Sequence, residues 1–225
     1  MSRTLYLLRH GQARYNAELR LQGRCNSELT ARGETQALAM GARLADLLAE
    51  PASWTLYASP LGRARQTAER VCQQLGLDQE RIIWDERLVE LGMGEWESRR
   101  VPELLAAHPE LDLEEPDWYL QAPNGESFQS IQRRAQAWLQ DEGIAKQAIV
   151  VSHGLFGAML RGACLCRSGL HHHLAAGAAA GCLLQTQWRP HRADCLLTTR
   201  RRPALGGPRC DWSFSQPPIW PLLST

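Results

Sequence analysis

The sequence predicts an α/β fold, a three-layer sandwich in which a mainly parallel sheet carries helices on both faces. Three observations predict it. Short apolar runs are followed three times by a polar loop and then an amphipathic segment, the alternation that builds parallel sheets. The run at 148–151 is apolar at every position, as a strand covered on both faces must be. The polar residues that close the runs are arginines, histidines and glycines, and open α/β sheets bind ligands outside the carboxyl ends of their strands.

The first run, residues 5–8, ends in Arg9, His10, Gly11 and Gln12. A strand here delivers a cation and an imidazole into a loop, and Gly11 lets the backbone turn and brings amides close to a ligand. Residues 13–27 hold Asn16, Gln22, Gly23, Arg24 and Asn26 with no sustained period, and read as a loop over the strand ends. Thr30 fits an N-cap for a helix to about residue 49, with Ala37, Met40, Gly41, Leu44, Leu47 and Leu48 on one stripe. Residues 54–58 form the second strand, and Ser59-Pro60 ends it where a helix can begin. That helix has Arg63 in its first turn, a buried face of Ala64, Thr67, Ala68, Val71, Cys72 and Leu75, and Gly76 as its C-terminal cap.

Residues 81–84 read as a third short strand, and residues 86–96 fit neither period and read as a loop. Residues 99–123, rich in Pro, Glu, Asp and Trp, read as a surface excursion with a short helix at 102–107; such segments often cover a pocket. A helix over about 127–141 carries Phe128, Ile131, Ala135 and Trp138 at helical spacing. The fourth strand, 148–151, ends in Ser152, His153 and Gly154, and the next helix covers 155–161.

Composition narrows the function. The chain has 225 residues, 44% of them hydrophobic, and a formal net charge of +1. One sizeable core is expected, and no cationic surface for nucleic acid. Nothing before the first strand reads as a signal peptide, and the longest apolar stretch, 174–184, is about half of the roughly 20 residues a membrane span needs. A cytoplasmic protein with no membrane partner is expected; its oligomeric state is left open. Seven cysteines then read as free thiols.

Arg9, His10, Arg63 and His153 all follow strand ends that this fold gathers on one edge. Two guanidinium forks and two imidazoles there make a pocket suited to a phosphoryl group, with helix N-termini adding amide donors. Glu90, in the irregular stretch, supplies an acid for the leaving group.

With these residues assembled, the sequence resembles the histidine phosphatase superfamily, the phosphoglycerate-mutase-like fold. The resemblance rests on five blocks in order: 8–12 with Asn16, 59–64 with 66–68, 88–90 with 94–97, 125–127, and 151–154. It covers roughly residues 3–163. It implies that His10 is the nucleophile, forming a phosphohistidine, that Arg9, Asn16, Arg63 and His153 hold phosphoryl oxygens, and that Glu90 protonates the leaving oxygen and then activates water. Gln22, Gly23 and Gly154 join the substrate-binding set. No metal or cofactor is implied. The chain departs from the family pattern at Ala13, where a Thr is usual, and at Ser98, where a glycine usually follows Trp-Glu. Mutases of the family carry a longer insertion than the 34 residues between Glu90 and Gly125. The expectation is therefore a phosphomonoesterase acting on a small phosphorylated metabolite, with a mutase or a catalytically weak phospho-ligand binder as rivals. Trp96, Arg99, Arg100, His108, Trp118 and Tyr119 are candidates for substrate choice, the aromatics with packing as their commoner role.

The chain divides by composition into an α/β domain at 1–163 and an atypical tail at 164–225. The tail holds five of the seven cysteines and four of the seven histidines, and lacks valine, lysine and glutamate. It reads as irregular, an out-of-frame translation starting near residues 161–166 or a disordered extension. Residues 182–186 are the nearest candidate for a last strand. Cys164, Cys166 and His171–His173 match no standard metal-ligand spacing.

Overall fold

The computed structural model describes residues 3–112 and 117–164, together with the backbone of 183–188. Its centre is a five-stranded sheet formed by β1 (Arg3–Arg9), β2 (Thr55–Ala58), β3 (Ile83–Trp84), β4 (Gln147–Ser152) and β5 (Leu183–Trp188). The order is β3-β2-β4-β1-β5, with the first four parallel and β5 antiparallel to β1. The helices are α1 (Arg14–Ala17), α2 (Ala31–Leu47), α3 (Gly62–Leu75), α4 (Val101–Ala107), α5 (Phe128–Gln140) and α6 (Gly154–Cys164).

The two-residue alternation of the strands sorts the core into two layers. Tyr6, Leu8, Leu56, Ala58, Ile149 and Val151 face α2 and α3, which pack on each other. Leu5, Leu7, Tyr57, Ala148 and Val150 face α5, α6 and the excursion. Residues 148–151 are buried on both faces. Trp138 is fully buried and meets the Tyr57 ring edge-on at 5.7 Å.

Thr30 caps α2, its side chain accepting from the Gly33 N–H, and Gly76 ends α3 in the left-handed conformation. Some expectations are corrected. The third strand is only Ile83–Trp84, because residues Gln79–Arg81 close into a 3-10 turn capped by Asp78. Leu47, placed on the buried stripe of α2, is exposed, while Leu48 just past the helix end is buried. The 13–27 loop contains one helical turn, α1. The tail, expected to be irregular, contributes the edge strand β5, which overlaps the 182–186 candidate and pairs with Arg3–Leu8. Cys166, His171–His173 and the rest of the tail lie outside the described residues.

Candidate active site

Because β1, β2 and β4 run parallel, the residues that follow them emerge on one edge, and the side chains there converge. Arg9, His10, Asn16, Gln22, Gly23, Arg63 and Glu90 line one cleft, open to solvent. His153 and Gly154 line an adjoining smaller pocket that shares Arg9. The His10 and His153 rings nevertheless meet edge-on, with centroids 5.2 Å apart.

His10 is almost fully buried. The Gly11 carbonyl lies 2.7 Å from Nδ1, so Nδ1 carries the proton and donates, leaving Nε2 with its lone pair. Burial first, then the charges of Arg63 and Arg9, hold His10 well below the ordinary 6.5. The ring is a neutral base. Gly11 fits here because its Cα runs against the backbone of α2: a Cβ would lie 2.3 Å from the Gly33 carbonyl oxygen. Its N–H donates to Thr67 Oγ1 at 3.1 Å.

Arg63 is fully buried, and burial lowers it to about 10. Its Nε donates to His10 Nε2 at 3.1 Å, Nη1 to the Cys25 carbonyl at 2.8 Å and Nη2 to the Gly23 carbonyl at 2.8 Å. One guanidinium thus ties the imidazole to the loop at 23–25. Gly23 holds φ +51° in that loop. His153 Nε2 pairs with Ser59 Oγ at 2.8 Å, and its buried Nδ1 has no hydrogen-bond partner among the described residues. Burial and the Arg63 charge lower His153 well below 6.5 too. Gly154 lets Arg9 lie close: a Cβ there would sit 3.2 Å from the guanidinium carbon.

Glu90 is buried and bonded as a cap for α6. Oε1 accepts from the N–H groups of Leu91 and Phe156 at 2.9 Å each, and Oε2 from Leu155 N–H at 3.2 Å. This corrects one expectation. The free amides of α6 serve Glu90, and the Gly62 N–H at the start of α3 donates to Asn26 Oδ1, so neither helix start presents these donors to a phosphoryl group. Asn16 uses Oδ1 to accept from Ala13 N–H at 2.9 Å while lining the cleft. Two nearby carboxylates are engaged elsewhere: Glu95 with Asn124, and Glu97 with the N–H groups of Arg24 and Met93.

Several participants were not read from sequence. Glu126 and Arg134 form a partly buried pair at 2.8 Å. Arg134 Nη1 donates to the carbonyls of Val89 at 2.7 Å and Arg87 at 2.9 Å, and its guanidinium lies over the Phe156 ring. Burial would raise the Glu126 carboxyl, but the Arg134 bonds, the Gly92 N–H and the Ser130 hydroxyl outweigh it and hold it below its ordinary range. The signal was the 125–127 block, which names no role. The cleft wall comprises Leu19, Arg20, Leu21, Met93, Val101 and Leu155. Of the candidates for substrate choice, Trp96, Trp118 and Tyr119 are buried in the core and none lines the cleft. Ser98, at φ +66°, occupies a conformation in which glycine carries no steric penalty.

Comparison with known proteins identifies the family and the fold. The model of the histidine phosphatase superfamily, branch 1, matches residues 5–199. A probable phosphoglycerate mutase, GpmB, of Escherichia coli O1:K1 is 37% identical over 163 residues, covering 67% of this chain and 69% of that protein. Among solved structures, a mycobacterial glucosyl-3-phosphoglycerate phosphatase in complex with VO3 has 28% identity and a TM-score of 0.66, covering 81% of this chain and 90% of that one. YhfR of Bacillus stearothermophilus has 31% identity and a TM-score of 0.66, covering 81% and 89%. Among the described residues no helix is long and apolar enough to cross a membrane.

Proposed function

The chain belongs to the histidine phosphatase superfamily, branch 1, and from that premise we propose that it is a phosphomonoesterase that hydrolyses a small phosphorylated metabolite through a phosphohistidine on His10. The observation that carries this reading is the fixed tautomer of His10: Nδ1 bound to the Gly11 carbonyl, and Nε2 bearing a lone pair in a cleft shared with Arg9, Arg63 and Glu90.

In the first step the Arg63 Nε–H hydrogen bond passes from Nε2 to a phosphoryl oxygen, the freed Nε2 lone pair attacks phosphorus, the bond from phosphorus to the ester oxygen breaks, and Glu90 as carboxylic acid gives that oxygen its proton. Arg9, Asn16, Arg63 and His153 bind the phosphoryl oxygens, where spread negative charge suits guanidinium forks. In the second step water attacks the phosphohistidine, Glu90 as carboxylate takes its proton, and the N–P bond breaks to release inorganic phosphate. His10 ends neutral, as it began. The resemblance implies no metal or cofactor, and the scheme draws on these side chains alone.

A mutase would share the first step and return the phosphoryl group to a sugar acid, and the E. coli relative is named a probable phosphoglycerate mutase. The interval from Glu90 to Gly125 is shorter than mutases of the family carry. Turnover of an aryl phosphate by the purified chain, measured with and without His10→Ala, tests the proposal. Release of phosphate that disappears in the variant supports it; exchange between phosphoglycerates without net release, or no turnover, contradicts it.

A further inference from the structure

Beside the polar end of the cleft, where Arg9, His10, Asn16, Arg63 and Glu90 meet, the wall changes character. Leu19, Leu21, Met93, Val101 and Leu155 line it. The wall is held by backbone pairing: Leu21 N–H donates to the Arg99 carbonyl at 3.0 Å, Ser98 N–H to the Leu21 carbonyl at 2.8 Å, and Val101 N–H to the Leu19 carbonyl at 2.8 Å. A short ladder between two loops thus presents fixed aliphatic side chains to the space next to the phosphoryl position.

Two polar groups interrupt this wall among the described residues. Arg20 has its charge met by Glu18, Nε to Oε2 at 2.8 Å, and its Nη1 donates to the Ser98 carbonyl at 2.9 Å. Gln22 is buried, and its Oε1 has no hydrogen-bond partner among the described residues. A carboxylate here would displace Glu18 or lie against leucine and an amide oxygen, losing its hydration. An apolar group would lose none, and a hydroxyl or N–H would satisfy Gln22.

Building on the proposed phosphomonoesterase reading, we infer that this wall is a leaving-group subsite for an apolar alcohol, and that it selects against phosphorylated sugar acids. Burying a few methylene equivalents against such a wall changes specificity by about 100-fold.

The test uses the full chain and three alkyl esters of similar leaving-group reactivity: 2-phenylethyl phosphate, glycerol 3-phosphate and 3-phosphoglycerate. The expected order of kcat/KM is 2-phenylethyl phosphate first and 3-phosphoglycerate last, with the ends about 100-fold apart. In Val101→Arg, an uncompensated cation in the wall should raise the ratio of 3-phosphoglycerate to 2-phenylethyl phosphate at least about 10-fold, glycerol 3-phosphate serving as the reference for intact catalysis. Equal use of all three, a preference for 3-phosphoglycerate, or an unchanged ratio in the variant overturns the subsite while leaving the phosphatase reading intact. No hydrolysis of any ester overturns both.

Discussion

Arg63 Nε donates to His10 Nε2 across 3.1 Å while the same guanidinium holds the carbonyls of Gly23 and Cys25. The nucleophile and the loop beside it are therefore set by one rigid fork. A lysine ammonium cannot span three acceptors in a plane. Arg63→Lys should lower kcat/KM by at least about 100-fold, as loss of preorganised charge stabilisation does. Steady-state kinetics beside a thermal melt separates this from unfolding.

His10 and His153 lie well below the ordinary 6.5 in the folded chain. Below that pH the unfolded chain binds protons that the native chain refuses, so stability is complete above about 6.5 and falls with acidity, by about 1.4 kcal/mol per pH unit for each histidine. The unfolding free energy should fall as the pH drops below about 6.5, with a slope that steepens towards two protons, and His153→Gln should make that slope shallower. Because native His10 is held below the ordinary 6.5, the acid limb of kcat/KM should fall below that pH.

The Glu126–Arg134 pair fixes the backbone carbonyls of Arg87 and Val89, next to the proposed proton donor. Its loss should matter most where the leaving oxygen needs a proton. Glu126→Gln should lower kcat about 10-fold or more for alkyl phosphates and less than about 3-fold for 4-nitrophenyl phosphate, whose oxygen leaves unaided. An equal loss for both would mean a structural role only.

Gly11 has no room for a side chain, since a Cβ would meet the Gly33 carbonyl oxygen at 2.3 Å. Gly11→Ala must push α2 from β1 or shift His10 from its carbonyl anchor. The melt should show a loss of about 1–3 kcal/mol, with activity falling further than stability.

The parts legible in the sequence are those with a local signature. The apolar runs at 5–8 and 148–151, the Gly76 cap and the polar residues closing each strand need only neighbours in sequence to be read. The parts that were not legible depend on distant partners. Glu90 caps a helix that starts 64 residues later, and the cleft wall exists because 19–21 pairs with 98–101; no period reports either. Trp96, Trp118 and Tyr119 looked like candidates for substrate choice because the excursion resembled a cover, yet they pack inward.

The proposed mechanism turns on a bond between phosphorus and Nε2 of His10. Rapid acid-free quenching of the chain with an aryl phosphate, followed by peptide mass spectrometry, detects that bond. A phosphoryl group is expected on the peptide containing His10, stable to base, lost in acid and absent from His10→Ala. Phosphate release with no such adduct, or an adduct on another residue, would contradict it.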